Sequence, residues 1–249
     1  MSRNLNPECG TLEEEEGEAI PPLLILRKIE MKIEYKDFGL FTIDVDYLKH
    51  LHDDVDQEVR FDANKAYNRK PFLGIIVTID TYSYFIPLTS SKPKHSKWKN
   101  VDKSYYLIYE IIDKVHARPY DIVKPYSDTQ VLKVLAVLDI KKMIPVPSGY
   151  YSRIEFSQVA DVRYRSLLTK EYLFCRKIQD SILEKAKAIY EHQKTTGKVY
   201  PLFCNFGELE SACDSYVTEM NKAATAKSES SFNPETNLSK PLGKSVNSI

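Results

Sequence analysis

The sequence predicts an α+β fold. Two observations carry that reading: β-branched and aromatic runs make the first half strand-rich, and long helical stripes make the second half, 161–220, helix-rich. Gly39–Ile43 reads as a strand. Asp44 suits a helix N-cap, and Leu48, Leu51 and Val55 form a helical stripe through 45–56. A polar loop, 57–70, comes next. Leu73–Ile79 and Tyr82–Leu88 read as two strands, and Asp80-Thr81 between them suggests a hairpin. Ser104–Tyr109 and Val131–Ile140 read as further strands, and Met143–Val146 as a short one. One long helix is expected from 161 to 194, because Leu167, Leu168, Phe174, Cys175, Ile178, Ile182 and Ile189 share a face. Gly197 is its natural stop. A last helix starts at Asn205, an N-cap with Glu208 three residues on as in a capping box; Phe206, Leu209, Cys213, Tyr216 and Met220 form its buried stripe.

The 249 residues, 43% hydrophobic and 28% charged, exclude a wholly disordered chain. Thirty-five basic and 35 acidic residues balance to zero, which excludes a histone-like binder but not a local basic patch. The balance conceals an asymmetry. Residues 1–30 carry seven acids and three bases, and 221–249 four lysines and two glutamates, so the middle is mildly basic. The chain divides into an acidic extension at 1–30, a domain at 31–220 and a disordered Ser/Asn/Lys-rich tail at 221–249. The front reads as an interaction tail or as an upstream extension with Met31 the true start. No stretch reaches the roughly 18 apolar residues of a membrane span. An acidic run precedes the apolar residues 20–26, where a secretory signal needs basic charge. Cys9, Cys175, Cys204 and Cys213 form no C-x-x-C pair and read as unpaired thiols of a reducing cytoplasm.

The chemistry concentrates after the second hairpin strand. Thr89, Ser90 and Ser91 follow Pro87-Leu88, and Lys92, Lys94, Lys97, Lys99 and Lys103 follow within twelve residues, with His95 and Trp98 among them. Hydroxyls and backbone N–H groups hold phosphate oxygens, lysines neutralise them, and an indole offers a stacking face. On composition alone the loop reads first as a solvated one, and a basic loop by itself is a weak signal. A second basic group, Lys65, Tyr67, Arg69 and Lys70, precedes Phe72. A tight hairpin brings Lys70–Phe72 and Thr89–Lys92 to one end. Tyr67 and Phe72 fit base contact or core packing. P-loop, dinucleotide, zincin and nucleophile-elbow motifs are absent, and His50 and His52 read as surface residues. No metal site or cofactor is expected. The remaining Lys, Tyr, Thr, Ser and His95 suit RNA cleavage, in which the 2′-hydroxyl is the nucleophile and the protein aligns, neutralises and moves protons.

The segments LFTIDVDYLKHL (40–51), YNRKPFLGIIV (67–77), YFIPLTSSKPKH (84–95), VLDIKKMIPVP (137–147), YRSLLTKEYLFCRKIQDSI (164–182) and CNFGELESACDSY (204–216) resemble, in this order, the ToxN/AbiQ endoribonuclease toxins. These belong to type III toxin–antitoxin and phage abortive-infection systems. The resemblance implies a compact, strongly twisted antiparallel sheet surrounded by helices, related to the MazF/Kid fold. It implies metal-independent, sequence-preferring cleavage of single-stranded RNA, leaving a 2′,3′-cyclic phosphate and a 5′-hydroxyl. It also implies inhibition by a repetitive pseudoknot RNA antitoxin, which the toxin processes and with which it closes into a ring. Carried over by motif, Thr89 and Ser90 hold phosphate oxygens or share proton transfer, and Lys92 stabilises the pentacoordinate charge. Lys70 steers the backbone, and Tyr67 and Phe72 position base and sugar. Here the lysine precedes Pro93, where the family pattern puts proline first, so Lys92 and Lys94 are rivals. Lys65, Arg69, Lys94, His95, Lys97 and Trp98 are the remaining RNA-binding candidates. A non-catalytic RNA-binding module and a protein-interaction domain are the alternatives.

Overall fold

The computed structural model describes residues 38–61, 71–79 and 82–230. The acidic front, Met31, Lys65, Tyr67, Arg69, Lys70, the Asp80-Thr81 turn and the tail beyond Ser230 lie outside the described residues. Eight strands are described: β1 (Gly39–Ile43), β2 (Phe72–Ile79), β3 (Tyr82–Ser90), β4 (Tyr105–Asp113), β5 (Val123–Pro125), β6 (Gln130–Asp139), β7 (Ile144–Pro145) and β8 (Tyr151–Arg153). Their order is β4-β6-β3-β2-β1-β8, with β5 on β6 and β7 on β3. All pairings are antiparallel. The helices are α1 (Val45–His50), α2 (Val162–Lys177), α3 (Gln179–Thr196) and α4 (Phe206–Ser230). The α+β expectation holds.

Strand β3 is the element on which the sheet turns. The β2–β3 hairpin pairs Ile79 with Tyr82 and Phe72 with Pro87. On its other edge β3 meets β7 at Tyr84↔Pro145 and Phe85↔Ile144, then β6 from Leu88↔Leu138 to Ser90↔Ala136. Between them the chain makes a 3-10 turn, Ile140–Lys142. Leu88 N donates to Pro71 O on the β2 side, so by alternation the nitrogen of Pro87 faces the opposite edge, opposite that turn. A missing N–H costs nothing there. Gly74 of β2 is required by packing. A Cβ on it would lie 2.4 Å from the Phe41 ring carbons and 3.1 Å from Phe85, which themselves meet edge-on at 5.5 Å.

Several local expectations are corrected. The stripe at 45–56 is α1 followed by a π-helical turn, Leu51–Val55, closed by Asp56 N to Leu51 O. Asp44 caps α1 as expected, accepting from Tyr47 N at 2.9 Å. The long helix breaks at Ile178 (φ −115°, ψ 20°) into α2 and α3. Its buried line is Leu168, Glu171, Cys175, Ile182, Ala186, Tyr190 and Gln193, while Leu167, Phe174 and Ile189 are half-buried. Gly197 ends α3 in the left-handed conformation (φ 65°). Asn205 accepts from Glu208 N, but its own N–H goes to Asp56 Oδ2 at 2.8 Å, a long-range tie where the capping box would use Glu208. Met220 is 40% exposed, and α4 runs ten residues past the expected boundary at 220, to Ser230. Strand β4 continues to Asp113, and β5 and β8 had no strong pattern. Cys175, Cys204 and Cys213 are buried free thiols. His50 and His52 are half-buried; His50 Nδ1 meets Asp54 at 3.0 Å and His52 Nδ1 meets Val59 O at 2.9 Å.

The helices grip β3 through carboxylates. Glu210 Oε1 accepts from Tyr84 Oη at 2.7 Å and Tyr190 Oη at 2.8 Å, and Glu210 Oε2 pairs with Lys194. Asp214 accepts from Tyr82 Oη at 2.6 Å. Burying Glu210, Tyr84 and Tyr190 is tolerable because each has a partner. Glu210→Ala leaves two buried hydroxyls and a cation without their acceptor, and should cost about 3 kcal/mol or more in denaturant unfolding.

Glu171 of α2 is buried, and burial pushes its carboxyl up to about 7 from 4.5. A folded-state value above the unfolded one means that folding takes up protons. The associated stability is fully present below about pH 4.5 and is lost as pH rises through about 7, up to about 3 kcal/mol. In thermal unfolding, Glu171→Gln should remove this slope, so the variant gains on the parent between pH 5 and pH 8.

Candidate active site

The end of β3 opens into a cavity of about 360 Å³ lined by Phe72, Thr89, Ser90, Lys92, Lys94, His95, Trp98, Arg60 and Asp139, among others. Thr89 and Ser90 are held by pairing with Val137 and Ala136 of β6, and Ser91 N extends the ladder to Leu135 O at 3.3 Å. Phe72 reaches the same place because it is in register with Pro87. The structure therefore brings together Phe72, Thr89, Ser90, Lys92, Lys94, His95 and Trp98. Lys97 is exposed and does not line the cavity. Lys65, Tyr67, Arg69 and Lys70 precede Pro71 in the stretch outside the described residues.

Beyond β3 the chain folds into a 3-10 turn, Pro93–Lys97. Proline fits its first position, where an N–H has no partner. His95 closes the turn from within. Its Nδ1 accepts from Lys92 N at 2.9 Å, while His95 N donates to Lys92 O at 2.8 Å. An acceptor Nδ1 makes the neutral ring the Nε2–H tautomer, an assignment that follows from the hydrogen bond. Burial, then the charges of Lys94 and Lys92, pull His95 below its ordinary 6.5.

Trp98 is less available than its sequence suggests. Its ring lies 4.6 Å from His95 and 4.7 Å from Tyr105, and Lys94 Nζ sits 5.3 Å from its centroid. It also packs on Leu107, Val134 and Val137, the outer apolar cluster of the sheet. Much of the indole is therefore committed to holding the loop.

Sequence reasoning missed Arg60 and Asp139. Arg60 Nη2 donates to Asp139 Oδ2 at 2.8 Å across 79 residues of chain. Asp139 is 4% exposed, and its Oδ1 lies 3.1 Å from Lys141 Nζ. Asp139 lies within VLDIKKMIPVP, but nothing local in the sequence marks either residue. Chemically, the cavity offers two hydroxyls, several cations and one carboxylate around a space sized for part of a polyanion, with Phe72 for apolar contact.

Comparison with known proteins supplies the family. A profile described as Toxin ToxN, type III toxin-antitoxin system, matches residues 39–214. The chain is 27% identical over 184 residues to an endoribonuclease ToxN of Bacillus thuringiensis subsp. kurstaki, covering 70% of this chain and 82% of the relative. It is 25% identical over 170 residues to an endoribonuclease ToxN of Pectobacterium atrosepticum, covering 68% and 88%. A solved structure from work on a processed non-coding RNA that regulates a bacterial antiviral system superposes with TM-score 0.51 at 26% identity, over 70% of this chain and 95% of the other. AbiQ, a lactococcal anti-phage endoribonuclease of a type III system, shares the fold with TM-score 0.54 at 19% identity, over 73% and 98%. The match begins at β1, takes in the cavity at the end of β3 and runs onto the buried face of α4: the chain belongs to the ToxN family of type III toxin–antitoxin toxins.

Proposed function

We propose that this chain is the endoribonuclease toxin of a type III toxin–antitoxin system, cutting single-stranded RNA without a metal ion. The observation that carries the reading is the gathering of Thr89, Ser90, Lys92 and Lys94 around one cavity in a chain of this family. The relatives named endoribonuclease ToxN support the activity. In the proposed reaction the 2′-oxygen bonds to phosphorus and the P–O5′ bond breaks. The proton of the 2′-hydroxyl leaves, and one is delivered to the 5′-oxygen. Ser90 and Thr89 hold phosphate oxygens or take part in proton transfer, and Lys92 stabilises the added charge, with Lys94 its rival on spacing. Phe72 with Tyr67 positions base and sugar, and Lys70 steers the backbone. His95 shapes the loop that presents Lys92. Lys65, Arg69, Lys97 and the exposed edge of Trp98 contribute further RNA contacts.

The reading extends to partners. A repetitive RNA antitoxin, folded as a pseudoknot, inhibits the toxin, is processed by it and closes a toxin–RNA ring. Cellular or phage mRNA is the substrate, and cutting it aborts phage infection. DNA and membranes have no part. No helix among the described residues is long and apolar enough to cross a membrane. The proposal includes a cytoplasmic location, which an RNA substrate and an RNA antitoxin support. The catalytic domain is 31–220, in keeping with the profile match at 39–214. We also infer MazF/Kid kinship for the sheet, on its antiparallel pairing and a site at a strand end.

Ser90→Ala and Lys92→Ala should each slow cleavage about 100-fold or more and abolish growth inhibition, with unfolding midpoints near the parent's. Purified protein incubated with unstructured, adenine-containing RNA in EDTA should yield 2′,3′-cyclic phosphate ends. Salt-sensitive binding with intact RNA would instead identify a non-catalytic RNA-binding module.

A further inference from the structure

We propose that Arg60 is a catalytic residue that binds the phosphate oxygens of the RNA, and that Asp139 positions it. The inference rests on the RNA-cleaving reading of the same cavity. Arg60 lines that cavity with Ser90 and Lys92. Its side chain is 48% exposed while that of Asp139 is 5% exposed. The guanidinium is thus anchored at its buried end and open at the other. Five N–H donors in a rigid fork allow one amino group to hold a carboxylate while the rest meet a phosphate.

The segment that delivers Arg60 is fixed before any RNA arrives. Asp56 accepts from Asn205 N with Oδ2 and from Glu58 N with Oδ1, both at 2.8 Å. Glu58 pairs with Lys142, a lysine only 2% exposed. Val59 N donates to Asp56 O at 3.0 Å, and Val59 O meets His52 Nδ1 at 2.9 Å. Ties from Asp56 to Asn205 just ahead of α4, from Glu58 to the β6–β7 connection, and from Val59 to the π-helical turn after α1 lead directly to residue 60. A surface arginine held for stability alone does not need such a mount beside two hydroxyls and two lysines. Asp139 in turn lies between Arg60, 2.8 Å from its Oδ2, and Lys141, 3.1 Å from its Oδ1. In the cleavage step the phosphate gains negative charge as the 2′-oxygen adds. Arg60 contributes charge and geometry only.

The test is single-turnover cleavage of an unstructured, adenine-containing RNA oligonucleotide by parent, Arg60→Ala, Arg60→Lys, Asp139→Asn and the Arg60→Ala/Asp139→Asn double variant. Arg60→Ala should cut the maximal rate about 100-fold, with a smaller change in the RNA concentration for half-saturation. Arg60→Lys should recover part of the rate, because it keeps the charge and loses the fork. Asp139→Asn should lose less than Arg60→Ala, and the double variant should be no slower than Arg60→Ala alone. Full parental rate in Arg60→Ala, with Ser90→Ala inactive, would reduce the pair to a structural tie. Additive losses in the double variant would overturn the positioning role of Asp139. If Asp139→Asn fails to fold, the two Arg60 variants still decide, since Arg60 is half-exposed. A parent that leaves the RNA intact would instead sink the underlying cleavage reading.

Discussion

Strand β3 is paired along both edges, and the rest of the site depends on that confinement. One edge carries β2, the other β7 and then β6, so the last residues of β3 cannot slip without flipping every side chain to the other face. The tyrosines near its start are bound to carboxylates of α4, which fixes the strand along its length. Two hydroxyl residues at its end therefore occupy set positions although the loop after them is exposed. Positioning of this kind supplies much of the rate, beside electrostatic stabilisation, when a substrate carries its own nucleophile.

The electrostatics of the cleft are lopsided by construction. Among the described residues Lys92, Lys94 and Arg60 line it against the single carboxylate of Asp139, which also pairs with Lys141. A unit charge pair at 4 Å is worth about 4 kcal/mol at an effective dielectric of about 20, so one buried acid organises its cations without cancelling them. The chain as a whole is neutral, and the positive field is local. That suits attraction of a polyanion to one face with little tendency to bind it elsewhere.

Much of this was legible along the chain because the signals are local. The β2–β3 hairpin followed from two β-rich runs and a short turn, which in turn put Phe72 beside the Thr89–Trp98 loop. The break at Ile178 left no mark, because Cys175 and Ile182 are seven residues apart and keep helical phase across it. Glu210 and Asp139 were invisible for another reason. Their partners lie 126 and 79 residues away, and a buried carboxylate has no periodicity to betray it. Trp98 was legible as an aromatic but not as a packed one, since its neighbours Tyr105 and Val137 come from other strands.

The hydrogen bond from the Lys92 amide to His95 carries a chemical consequence. An imidazole whose Nδ1 lone pair is latched to its own loop has only a proton to offer from the other nitrogen. To accept a second proton through Nδ1 it would have to unlatch the backbone that carries Lys92. In the proposed reaction, deprotonation of the attacking sugar hydroxyl then falls to a different acceptor: a serine or threonine oxygen, a neutral amine, or solvent.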